Sequence, residues 1–235
     1  MKKLVRRALA VIAVVAVGAV VGPWVYINLI KDQAPDALTL EPATTSTIAP
    51  IQVSTSTTLA DTSATDGQWA VIGESVVGYR VKEVIVGQST EGVGRTSAIT
   101  GSLTIVGESV TKAEFTVDMT TLKSDSTRRD RQVNTRILDT KTFPTATFAL
   151  KEPIALTPEA LAGGEITVNT TGTLTLRGVT RDIAVSLIAR LVDDVIEING
   201  SIEIVFADWS IPDPSISAIV VEDRGQLEFL IRFAR

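Results

Sequence analysis

The 235-residue chain contains no cysteine and no histidine. Without cysteine there is no disulfide framework, no thiolate nucleophile and no cysteine-ligated zinc or iron. Without histidine the commonest general base and metal ligand is missing, and a Ser-His-Asp triad cannot be built. The chain also lacks a G-x-S-x-G nucleophile elbow, a glycine-rich phosphate loop and a basic stripe. No cofactor and no metal site is expected. An enzyme would have to work through lysine or through carboxylates such as Asp118, Asp130 or Asp139.

Charge is unevenly spread. Lys2, Lys3, Arg6 and Arg7 give the first thirty residues +4 with no acid, so the rest of a chain of net charge −5 carries −9. A body that acidic is a poor electrostatic match for nucleic acid. Behind the basic cluster, residues 8–30 carry no charge. Twenty-three helical residues reach roughly 34 Å, enough to cross a bilayer core. The cluster predicts a cytoplasmic N-terminus, with Trp24 and Tyr26 near the outer interface. The rival reading is a cleaved signal peptide whose apolar run breaks at Gly22-Pro23. Apolar residues continue past Pro23 and no small-x-small cleavage site is evident, which favours an uncleaved single-pass anchor. Both readings export the remainder of the chain. Residues 31–66 then turn polar: "TTSTIAPIQVSTSTTLADTSAT" is 12 Ser/Thr in 22. Such a stretch buries too little to offset chain ordering and predicts a disordered tether.

From Gly67 the apolar period is two. Phe115, Val117 and Met119 alternate with Glu114, Thr116 and Asp118, and Leu227, Phe229, Ile231 and Phe233 alternate with Glu228, Leu230 and Arg232. Each such run is a strand with one apolar face. Turn residues between runs divide residues 67–235 into eight strands, expected at 69–84, 94–106, 109–121, 145–152, 165–176, 180–192, 195–207 and 225–234. Mostly short connections predict antiparallel neighbours. An all-β barrel would remove the exposed edges, although a two-sheet sandwich has the same periodicity.

One stretch breaks the pattern: "LKSDSTRRDRQVNTRILDTKTFP", residues 122–144. Asp125 or Ser126 can cap a helix, Val133 with Ile137 and Asn134 with Leu138 are spaced four apart, and Pro144 returns the chain to extended form. These features predict a short helical insertion at one end of the β structure. Leu176-Arg177-Gly178-Val179 reads as a hairpin turn with Gly178 at positive φ, and Trp209, before Pro212, as a plug for one end.

These residues carry a resemblance. Arg129-Asp130, the apolar positions Val133, Ile137 and Leu138, Phe143-Pro144 with Phe148, and the later Leu174-Thr175-Leu176-Arg177-Gly178-Val179-Thr180 together resemble the YceI family of exported lipid-binding domains. The opening "GQWAVIGESVVGYRV" and the closing "ADWSIPDPSISAIVVEDRGQLEFLIRF" fit as well, so the likeness covers residues 67–235. It implies an eight-stranded, antiparallel, lipocalin-like barrel whose interior holds a long isoprenoid lipid or quinone tail, and binding rather than catalysis. The chain departs from the family in lacking histidine; Gln132 stands beside the Arg-Asp pair where one is often found.

Candidate lining residues are Tyr79 on the first strand, Phe115, Val117 and Met119 on the third, Leu174 and Leu176, Ile204 and Phe206, and Phe229 and Ile231. Each would serve equally in a filled core, and a filled barrel working through protein contacts at the cell envelope is the alternative function. Arg129 and Asp130 are candidates for a structural ion pair or a head-group contact. Nothing in the sequence speaks to oligomeric state.

Overall fold

Three tight turns pair the strands. Val86-Gly87, Arg177-Gly178 and Asp193-Asp194 each put two consecutive residues at positive φ, between +48° and +82°. Two-residue loops of that kind match the twist of antiparallel strands. They join β2 (Val76–Ile85) to β3 (Gln88–Thr96), β9 (Ile166–Leu176) to β10 (Val179–Val192), and β10 to β11 (Val195–Val205). A computed structural model describes residues 21–22, 25, 34–41 and 65–235.

The remaining strands are β1 (Gly67–Val71), β4 (Ile99–Val106), β5 (Ser109–Asp118), β6 (Lys123–Ser124), β7 (Thr145–Leu150), β8 (Ile154–Ala155), β12 (Ile219–Val221) and β13 (Arg224–Ala234). Eight of them close an antiparallel ring in the order β1-β4-β5-β7-β9-β10-β11-β13. Closure comes from β1, which pairs with β4 on one side and β13 on the other. That double pairing selects the barrel over the sandwich. Beyond the ring, β13 also pairs with β2, which continues through β3 to β6 and carries β12 on its outer half.

Several strand limits differ from those expected. The expected strand 69–84 is broken at residues 72–75, where Glu74 has φ +67°, into β1 and β2. The strand β3 has no apolar alternation in "QSTEGVGRT" and escapes a periodicity search. It exists because its glycines leave room for neighbours: a Cβ on Gly94 would lie 2.4 Å from the Tyr79 ring. Two expected strands end early, in 3-10 turns at Met119–Thr121 and Phe206–Trp209.

Helix α1 (Thr127–Gln132) is capped by Ser126, whose hydroxyl accepts from Arg129 N–H at 3.4 Å. It runs into a π-helical turn, Val133–Ile137, closed by Leu138 N–H donating to the Val133 carbonyl at 2.8 Å. A second, four-residue helix, α2 (Pro158–Leu161), was not expected from the sequence. The Phe-Pro and Gly-Val-Thr motifs meet in space. Phe143 lies over the β9–β10 turn, with the Arg177 guanidinium 5.7 Å from its ring centre and no room for a Cβ on Gly178.

The core gathers on the inward faces. Trp69 and Phe233 are fully buried beside each other's strands, and Trp69 Nε1 donates to the Thr65 carbonyl at 2.9 Å. With Arg235 stacked 4.5 Å from its ring centre, Trp69 closes one end of the barrel. Trp209 is buried under its 3-10 turn at the other.

Residues 34–41 fall within the expected disordered tether, yet they lie on the barrel. The Pro35 carbonyl accepts from Arg80 Nη2 at 2.7 Å, the Asp36 carbonyl from Arg95, and the Leu38 carbonyl from Asn199 Nδ2 at 2.8 Å. The cause is polar: Arg80 and Arg95 both serve the buried Glu228 carboxylate on the outer face of β13, Arg80 Nη1 also donates to Glu91, and the strap carbonyls accept from Nη2 of each guanidinium. Among the described residues no helix is long and apolar enough to cross a membrane. The expected anchor, 8–30, lies outside them apart from residues 21, 22 and 25.

Candidate functional site

Because the inward side chains of opposite strands do not meet, the barrel is hollow. A cavity of about 760 Å³ runs from the α1 end, past Val133, Ile137 and Leu138, to Leu161 and Ile166 near α2. Its wall is built by the period-two rule. Strand β13 contributes Leu227, Phe229 and Ile231; β9 contributes Leu174 and Leu176; β11 contributes Ile202 and Ile204.

All ten lining residues expected from the sequence face this cavity: Tyr79, Phe115, Val117, Met119, Leu174, Leu176, Ile204, Phe206, Phe229 and Ile231. Met119 and Phe206 do so from the 3-10 turns rather than from strands. Phe115 stacks on Phe148, ring centres 5.9 Å apart, and leans on Phe233 at 5.6 Å, which fixes the wall near the Trp69 end.

Polar groups collect at the α1 end. Tyr79 is held there over Gly94, and burial pushes its hydroxyl well above the ordinary tyrosine pKa, against the opposing pull of Arg129. It therefore faces the cavity as a neutral hydroxyl, with Ser124 as a hydrogen-bond neighbour. Glu83 shares the inward phase of β2 with Tyr79 and Val81 and is buried. Its Oε1 accepts from Arg129 Nη2 at 2.8 Å, and Arg129 also pairs with Asp125, four residues back.

The expected Arg129–Asp130 ion pair is not formed. Adjacent residues on a helix point about 100° apart and do not face each other. Arg129 lines the α1 end of the cavity, where Arg128 and Ala218 of the lining are exposed to solvent and mark its mouth. Asp130 turns the other way, is buried, and accepts from Ser124 N–H at 2.8 Å and Ser124 Oγ at 2.7 Å. It ties α1 to β6, whereas Arg129 ties α1 to β2.

Sequence reasoning missed Glu83. The signal was present: a charge in phase with Tyr79, Val81 and Ile85 on a strand whose other residues point outward. The second lip of the mouth, Ile216 and Ile219, lay in the loop "PDPSISAIVV", which has no periodicity to read. Among the described residues, no group of three acidic side chains could hold a metal ion.

The YceI-like domain family matches residues 69–233. Several solved structures share the fold, two of them as follows. A polyisoprenoid-binding domain from Saccharophagus degradans, implicated in plant cell wall breakdown, is 17% identical with a TM-score of 0.57; the match covers 71% of this chain and 97% of that one. BcnA of Burkholderia cenocepacia is 20% identical with a TM-score of 0.55, covering 68% of this chain and 96% of that one. No curated protein matches the chain.

Proposed function

The chain belongs to the YceI-like domain family, and on that premise we propose that it is a binding protein that holds a long isoprenoid lipid or quinone tail inside the barrel. The observation that carries this reading is the hollow interior of about 760 Å³, walled by aliphatic and aromatic side chains. An isoprenoid chain offers only methyl, methylene and alkene groups, so it needs apolar walls and nothing else. Each CH₂ taken from water is worth about 0.8 kcal/mol, and part of that total is offset by ordering the chain. The polyisoprenoid-binding domain from S. degradans, on the same fold, supports the choice of ligand class. The filled-barrel alternative has the hollow interior against it.

The polar end favours a particular head. Tyr79 presents a neutral hydroxyl, and the Arg129 charge is already balanced by Glu83 and Asp125. A neutral hydroxyl or quinone carbonyl suits the Tyr79 hydroxyl, whereas a phosphate would compete with two carboxylates for Arg129 and would be left with the solvent-exposed Arg128.

The remaining elements of the proposal are location and attachment: a single-pass anchor at residues 8–30, its basic tip in the cytoplasm, and the barrel outside. Four cations directly before an uncharged run support this orientation. The experiment is organic extraction of the purified protein followed by mass spectrometry. A long-chain isoprenoid in the extract is expected. An empty extract, together with no uptake of the polyprenol solanesol from detergent, would end the proposal.

A further inference from the structure

Large exposed apolar side chains on the barrel are not scattered. Among the described residues of 65–235 they are Val84, Val86, Val106 and Val220. Val106 stands alone beside the Gly107 turn. The other three sit together, 39%, 55% and 62% exposed. Val84 is the register partner of Val220, and Val86 N–H donates to the Ala218 carbonyl at 3.1 Å. On the opposite face of the same two strands, Ile85 and Ile219 are also partners, and both line the cavity. The mouth thus has a lip that is apolar on both faces: inward onto the cavity, outward into water.

Val86 carries a second mark. It is a β-branched residue at φ +48°, paired with Gly87 at +82°. That turn favours Asn-Gly, because a branched Cβ crowds the backbone at positive φ. At an exposed tip, asparagine would suit both the turn and the water; valine suits neither. A residue unfavourable on both counts is a mark of contact with something apolar.

The strap supplies the third observation. From Leu38 back to Pro35 it climbs from the level of Asn199 and Val76 to Arg80, toward the lip. Arg80 is four residues short of Val84, about 13 Å along a strand. Only residues 31–33 separate Ala34 from Ile30, the last residue of the uncharged run. Three residues reach at most about 10 Å. The described strap therefore reaches its upstream end on the mouth side of Leu38, and a bilayer holding residues 8–30 would be tied to that point by three residues.

We infer that the Val84, Val86 and Val220 lip rests on a lipid bilayer, so that an isoprenoid passes between membrane and cavity without crossing water. This inference depends on the lipid-binding reading above. A chain of that length leaves a bilayer through water too rarely to load a cavity, because every carbon would have to be solvated.

The test uses residues 34–235, since the ring closes within 67–234 and the two solved relatives consist almost wholly of the matching domain. Phosphatidylcholine vesicles carrying solanesol serve as donor, and detergent-solubilised solanesol as the control. The Val84→Ser, Val86→Asn, Val220→Thr variant is expected to take solanesol from vesicles about tenfold more slowly than the wild type, with uptake from detergent unchanged. Val86→Asn alone is expected to slow vesicle transfer while raising thermal stability. Equal transfer rates for wild type and triple variant would overturn the inference, as would lip-dependent self-association in gel filtration without vesicle binding. If neither protein takes solanesol from detergent, the lipid-binding reading fails first and the lip loses its purpose with it.

Discussion

Arg129 Nη2 donates to Glu83 Oε1 at 2.8 Å, joining the helix at the barrel mouth to the inward face of a strand. Both side chains are largely out of solvent, so each depends on the other. Glu83→Gln is expected to lower stability by about 2 kcal/mol, measured by urea denaturation. Arg129→Gln in the Glu83→Gln background should lower it by less than Arg129→Gln alone. Purely additive effects would mean that the pair is not coupled.

Gly94 is the floor beneath Tyr79. A methyl group there would sit 2.4 Å from the ring, and ring and strand cannot both stay in place. Gly94→Ala is expected to destabilise the fold by about 2 kcal/mol. Shortening Tyr79 to leucine should recover part of that loss. Thermal denaturation of the single and double variants checks both.

Tyr79 is the only tyrosine of residues 34–235, so its ionisation can be followed by absorbance alone. Burial raises its pKa, and the hydroxyl is expected to remain protonated at pH values where free tyrosine, near pKa about 10, has ionised. A raised folded pKa means that the folded state keeps the proton longer than the unfolded chain. Stability should therefore fall as pH rises above about 10. A tyrosinate signal at the free-tyrosine pH in the folded protein would contradict this.

On the outer wall, Glu197 bridges Arg190 Nη2 and Arg232 Nε, each at 2.7 Å. Burial pushes this carboxyl up, but the hydrogen bonds from Arg232 and Arg190 outweigh it and hold it below the usual range. Its contribution to stability is therefore present above the unfolded glutamate value of about 4.3 and is lost as pH falls through the lower folded value. Glu197→Gln should be less stable than wild type by about 1–2 kcal/mol at neutral pH. That gap should narrow in acid, as seen by denaturation at a series of pH values.

Filling the hollow should separate binding from folding. Val117→Phe and Leu176→Phe both add volume where the wall is apolar and space is available. The double variant is expected to keep its melting temperature within a few degrees and to take up solanesol from detergent about tenfold less. Unchanged uptake would show that the ligand does not occupy this part of the cavity.

The alternation of Phe115 with Thr116, or of Phe229 with Leu230, was enough to place the cavity wall, because the inward phase of a strand is fixed by its period alone. What alternation does not carry is depth. Whether Leu174 and Ile204 touch each other or leave a passage depends on ring closure and strand stagger, which appear only in the structure. Only the last three residues of β3 fell within the expected strand 94–106, because β3 lies where glycines make room for Tyr79 and Arg129, and such a strand has no apolar rhythm. Residues 34–41 were invisible for another reason: their hold is made by backbone carbonyls, and the side chains they answer, Arg80, Arg95 and Asn199, lie far away in sequence.

The strap also changes what the Ser/Thr-rich stretch can do. Leu38 is held by Asn199 and Thr65 by Trp69, so the described residues on either side of that stretch are fixed to one barrel. A change of length between two points fixed to one body leaves that body's distance from anything upstream unaltered. With residues 8–30 as the proposed anchor, flexible residues inserted at 31–33 should therefore lengthen the reach of the barrel from the bilayer, whereas the same insertion at residue 50 should leave it untouched.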